Sequence, residues 1–142
     1  MSTIFTKIID GEIPGRFVWR DDEVVAFLPI ALLAPGHTLV VPIEPVDHWI
    51  NLDPALNTKL WAVAQTISRA LDSIYHPSKV GVLVVGEEVP HAHVHLVPFT
   101  ELSQMSFANQ DTNPSPEALD GQAEALCDAL RSAGHGASVP DA

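Results

Sequence analysis

The sequence is short of positive charge. Across 142 residues it has seven Lys and Arg against eighteen Asp and Glu, a formal net charge of −11. Gripping nucleic acid by bulk charge needs Lys and Arg to displace counterions from phosphates, so nucleic acid is not an expected partner. Docking on an anionic membrane surface is disfavoured for the same reason. Cysteine is nearly absent. Cys127 stands alone, which leaves no internal disulfide and no Cys-pair metal site. Without a disulfide framework, a reducing, cytoplasmic setting is expected. Long apolar runs are missing too. The longest, Val24 to Pro35, falls short of the roughly 20 residues of a membrane span and contains Pro29 and Pro35. The opening MSTIFTKIIDGEIP lacks a basic segment followed by a continuous apolar stretch, so no secretory signal is expected.

What remains is globular in composition, with 46% hydrophobic and 18% charged residues. At about 150 residues per domain the length predicts one domain over residues 1–142. Residues 16–28 read as two strands about an Asp21-Asp22 turn. Pro35-Gly36 introduces a β-branched strand from His37 to Pro42. A helix begins at Asp53, a good N-cap, with Pro54 at its first position. Leu56, Leu60, Val63, Ile67, Leu71 and Ile74 form one apolar face, and Pro77 stops it. Gly81–Val85 and Val89–Val97 read as an antiparallel pair joined by Gly86-Glu87-Glu88. Residues 99–142 read as a loop, a second helix capped by Ser115 with Leu119, Leu126 and Leu130 on one face, and a mobile tail after Gly134. Strands grouped around two helices predict an α+β domain on an antiparallel sheet.

The seven histidines equal all Lys plus Arg. Three of them alternate in residues 89–97, VPHAHVHLV. On a strand, His91, His93 and His95 share one face, about 7 Å apart in succession. Ala92, Val94 and Leu96 take the other face, in a core. Such a row is poor core material, because ring nitrogens need partners when desolvated. Three readings compete: a solvated polar face, a zinc site that lacks obvious further ligands, and catalysis on a phosphate. The last fits best. A largely neutral imidazole can attack phosphorus while its neighbours move a proton and bind phosphate oxygens.

His91-Ala-His93-Val-His95-Leu-Val97 resembles the signature of the histidine triad (HIT) family. Residues 4–14, the Asp21-Asp22 turn and Ala34–Pro42 extend the resemblance over about two-thirds of the chain. The form is similar to the bacterial nucleotide-binding branch, and GEEVPH resembles an actinobacterial subgroup. The resemblance implies a HIT-like antiparallel meander with two helices, a homodimer, and a nucleotide-binding hydrolase or transferase that works without a cofactor. It makes His93 the nucleophile that becomes a nucleotidyl-histidine. His95 and His37 contact the phosphate or orient the nucleophile, and His91 supports the ring of His93, in part through its backbone carbonyl. Phe5, Ile8, Phe27, Leu28 and Ile30 surround the base, and Gly86, Glu87 and Glu88 lie by the phosphate.

The chain departs from the family pattern in four places. Thr3, Thr6 and Pro45 stand where many relatives hold a structural zinc, so no such metal site is expected. Pro29 replaces the ribose-binding Asp. The hairpin before the triad is shorter, and Glu87 and Glu88 replace an uncharged Gln and a hydroxyl residue. Those two carboxylates are either an exposed turn or a charge beside the substrate. A nucleotide-binding module of weak catalytic power is the alternative function, and a metalloprotein using the histidine row is a third. His48, His76 and His135 are expected to lie outside the site.

Overall fold

The computed structural model describes residues 2–141. Five strands, β1 (Arg16–Arg20), β2 (Val24–Leu28), β3 (Thr38–Pro42), β4 (Lys79–Leu83) and β5 (Val94–Phe99), form one antiparallel sheet in the order β1-β2-β3-β5-β4. The β1–β2 turn is built by Asp21. Its carboxylate accepts the backbone N–H groups of Glu23 and Val24 at 2.8 and 2.9 Å and the Trp19 indole N–H at 2.8 Å.

Period-two alternation divides the sheet into two apolar faces. Val24, Ala26 and Leu28 of β2, Val40 of β3, and Val94 and Leu96 of β5 join the main core with Ala92. That face is covered by α2 (Pro54–Tyr75) and α3 (Pro116–Leu130), which contribute Leu60, Val63, Ile67, Leu71, Leu119, Leu126 and Leu130. Val25, Phe27, Leu39 and Val41 face the other way and pack with Phe5 and Ile9 of α1 (Ile4–Ile9). Strands β2 and β3 are therefore buried on both sides, which explains the unbroken apolar sequence of β2 and of β3 after Thr38.

The helix signals in the sequence find their places. Ser115 Oγ accepts the Ala118 N–H at 3.1 Å and caps α3. Asp53 occupies the N-cap of α2, but its side chain makes no capping bond. That helix ends at His76 in the left-handed region, φ 47°, one residue before Pro77.

Three expectations change. The α-helices number three rather than two among the described residues, because α1 is too short for helical periodicity to reveal. It is held by a capping box in which Thr3 and Thr6 bond each other's backbone N–H. The connection between β4 and β5 is longer than the expected Gly86-Glu87-Glu88 turn. Pairing of β4 with β5 stops at Leu83 opposite His95, and residues 84–93 form the connection. Pro90 has no N–H to give, the His91 N–H goes to Val89 O, and the Ala92 N–H goes to Val46 O. The segment after Gly134, expected as a tail, contributes to packing. Val139 is buried in the main core, and Arg131 donates to Pro140 O at 3.2 Å.

Candidate active site

Gly36 sets the first histidine. Its φ is +89°, and a Cβ there would meet the Tyr75 ring at 2.5 Å, so only glycine fits the turn. The next residue, His37, turns its ring back over the loop and accepts the Leu33 backbone N–H on Nδ1 at 2.9 Å. A nitrogen that accepts carries no proton, so the proton of neutral His37 sits on Nε2. That Nε2–H donates to His95 Nδ1 at 2.9 Å. The proton of His95 is thereby placed on its own Nε2.

A second chain runs through the other two rings. His91 Nε2–H donates to Pro42 O at 2.7 Å, leaving Nδ1 to accept from the Thr3 hydroxyl at 3.2 Å. His93 Nδ1–H donates to His91 O at 2.7 Å. The remaining nitrogen of His93, Nε2, is therefore an unprotonated lone pair, and it has no hydrogen-bond partner among the described residues. Carbonyl oxygens and backbone N–H groups have only one possible role, so all four tautomers follow from the contacts.

Burial agrees with neutral rings. His37, His91, His93 and His95 are only 1%, 0%, 6% and 9% exposed. Burial pushes His37 down to about 3, helped by the nearby charges of His95 and His93 when those ionise. Burial and then His93 push His95 down to about 4. His93 is also lowered by burial, against the raising effects of its bond to His91 O and of the Glu88 carboxylate. His91 is lowered by burial, partly offset by Pro42 O.

The rings meet a cavity of about 540 Å³, within the roughly 300–1,000 Å³ of small-molecule sites. Phe5, Ile8, Phe27, Leu28, Ile30, Gly86, Glu87, Glu88, His37, His93 and His95 all line it. His91 does not. His91 lies with His93 against Phe5, on the side opposite Ala92, but it is fully buried there, so only His93 and His95 of the triad reach the cavity. The His93 and His95 ring centroids are 4.9 Å apart, nearer than the along-strand spacing of about 7 Å. Phe5 stands edge-on to His93 at 4.8 Å. Ile30 is 79% exposed at the cavity's edge, and Pro29 beside it offers no hydrogen-bonding side chain.

Among the lining residues that escaped the sequence reading are two from the segment after β5. Phe107 packs edge-on to His95 at 5.3 Å, and Gln110 lines the same cavity. A backbone clamp brings them there: Leu32 and Asp111 exchange N–H···O bonds of 2.9 and 2.8 Å. No local pattern signals that pairing. Of the histidines set aside, His76 caps α2 and His135 lies 5.8 Å from Trp19, whereas His48 lines a small pocket with His93.

Thr3 and Thr6 are both engaged within the fold. They cap α1, and Thr3 bonds His91. Neutral hydroxyls are outside the usual Cys, His and carboxylate donor set for zinc. Among the described residues, no three or more His, Cys, Asp or Glu are arranged to hold a metal ion. No described helix is long and apolar enough to cross a membrane.

Comparison with known proteins agrees with this fold. The chain is 39% identical over 102 residues to an uncharacterized HIT-like protein of Borreliella burgdorferi, covering 67% of this chain and 73% of that one. It is 34% identical over 105 residues to the purine nucleoside phosphoramidase of Escherichia coli, covering 67% and 85%. The crystal structure of a Hit-like protein from Bartonella henselae superposes with a TM-score of 0.79 at 29% identity, covering 91% of this chain and 96% of that one. The family model for the HIT domain matches residues 10–102, and with the histidine signature on that segment the chain belongs to the HIT family.

Proposed function

We propose that this chain is a nucleotide-binding hydrolase or transferase that acts on the α-phosphate of a nucleoside phosphoramidate or dinucleotide. One observation carries the reading: the contacts leave a lone pair on His93 Nε2 beside a proton on His95 Nε2, at the end of an apolar cavity. A nucleophile and a hydrogen-bond donor of that kind serve displacement at phosphorus, one by attack and the other by offsetting charge on the phosphate oxygens.

In the first step the His93 Nε2 lone pair forms a bond to phosphorus. The bond to the leaving atom breaks, and its electron pair departs with that atom. His95 Nε2–H donates a hydrogen bond to a phosphate oxygen, and a proton borrowed from solvent goes to the leaving atom. In the second step water attacks phosphorus, the P–Nε2 bond breaks, and its electrons return to His93. Water's two protons balance the one borrowed and the one kept by product. The base packs among Phe5, Ile8, Phe27, Leu28 and Ile30. His37 acts through His95, and His91 through its carbonyl, as positioning residues. Gly86, Glu87 and Glu88 flank the phosphate.

The test is mass spectrometry of protein quenched early in its reaction with adenosine phosphoramidate. A mass increase of one AMP on His93, absent in His93→Ala, is the expected result. Nucleotide binding with unchanged ligand after long incubation would instead establish the weakly catalytic binding module, which the lack of a carboxylate at Pro29 favours.

We also propose a homodimer. Strand β4 is an edge of the sheet, with Val82 exposed on it, and Trp61 is exposed on α2. An uncovered edge and large apolar side chains are what a partner surface supplies. Light scattering giving twice the 15.3 kDa chain mass checks it.

A further inference from the structure

Beside the large cavity lies a smaller one, of about 110 Å³. Asp47, His48 and Trp49 form one wall, and Gly86 and His93 form another. His93 is the one titratable side chain common to both cavities. It is 6% exposed, with its Nε2 unpartnered among the described residues. The Asp47–Trp49 loop is fastened to the triad itself, because the Ala92 N–H, between His91 and His93, donates to Val46 O at 2.7 Å. The two spaces therefore flank the proposed nucleophile. The larger has room for a nucleoside, and the smaller only for a small group.

The charges around them are one-sided. Asp47 lines the smaller cavity and Glu87 and Glu88 the larger, and none of the three is in an ion pair among the described residues. Arg16 is the one Lys or Arg lining either cavity, and its guanidinium is bound to Asp120 at 2.7 Å.

We propose that the smaller cavity is a leaving-group subsite that receives an ammonium. The preferred substrate is then a nucleoside phosphoramidate whose amine partner carries a second, cationic group, rather than a dinucleoside polyphosphate. This rests on the function proposed above. In the first step the P–N bond breaks, the nitrogen keeps the electron pair and takes a proton, and the distal ammonium remains beside Asp47. A polyphosphate leaving group would bring several negative charges against Asp47, Glu87 and Glu88. Each exposed carboxylate acts by up to about fivefold, so the three together set a preference on the order of tens.

Three AMP phosphoramidates of equal chain length test this, with amines ending in ammonium, methyl or carboxylate. The expected kcat/KM falls in that order, by about tenfold or more from first to last at low salt. The ratio shrinks at roughly half-molar salt, where screening is short-ranged. In Asp47→Asn, and further in Asp47→Asn with Glu87→Gln and Glu88→Gln, the ammonium compound slows and the carboxylate compound gains. Equal rates for all three with turnover intact would overturn the subsite while leaving the proposed function standing. No turnover of these or of the unsubstituted phosphoramidate would overturn both.

Discussion

The end of the triad segment and the strand that follows have two faces built on opposite rules. Ala92, Val94 and Leu96 enter a core of aliphatic side chains beneath α2 and α3, where shape is the only demand. His93 and His95, one residue out of step, face a cavity in which each ring has one nitrogen bonded and one presented. The first face gains stability from area removed from water. The second gives some of that up to hold two neutral rings in chosen tautomers. The contrast shows how a strand can be structural on one side and chemical on the other with no change in backbone.

The largest way to sharpen this contrast is His93→Ala. Loss of the proposed nucleophile should lower turnover of a phosphoramidate by at least about 10³-fold, while thermal melting shows the fold retained. The opposite experiment is Leu96→Ala, on the core face. Leu96 is fully buried, so its truncation should cost about 2–5 kcal/mol in urea unfolding. Its folded fraction should keep near-normal kcat. Comparable activity loss in both variants would break the division between faces.

Acid separates the faces next. His37 and His95 fall from an ordinary value of 6.5 to about 3 and about 4 when folded. The unfolded chain therefore binds more protons between these values, and stability rises with pH across that window. Their contribution is complete above pH 6.5 and is lost as pH falls toward 4. Melting followed from pH 7 to pH 5 should show a loss on the order of 2–4 kcal/mol, and His95→Gln should flatten the slope. The lowered His93 also predicts an acid limb of kcat below pH 6.5.

The smallest effect belongs to Thr3→Val, which removes the hydroxyl bonded to His91 Nδ1 and the cap of α1. A cost of about 1–2 kcal/mol is expected. Activity should fall several-fold through kcat rather than KM, because His93 is held by the carbonyl of His91. Serine at this position should restore both.

Much of this was legible in local patterns. The Asp21 turn, the apolar spacing of α2 and the Ser115 cap are interactions among near neighbours, and sequence carries them directly. Alternation placed Ala92, Val94 and Leu96 in the core and all three triad histidines on the other side. It did not show that His91 is sealed from the cavity, because its partners Thr3 and Pro42 O are distant in sequence. Phe107, Gln110 and His48 were not legible. Their positions depend on the Leu32–Asp111 clamp and on the loop after β3, contacts that no periodicity encodes.

The sequence by itself determined the antiparallel α+β class, the four histidines of the site and the acidity that bears on its substrates. These follow from residue type and short-range spacing. Only tertiary structure decided which nitrogen of each ring carries the proton. His37 and His95 are 58 residues apart, and Thr3 and His91 are 88 apart. A tautomer is set by the partner that a ring meets in space, and folding alone brings those partners together.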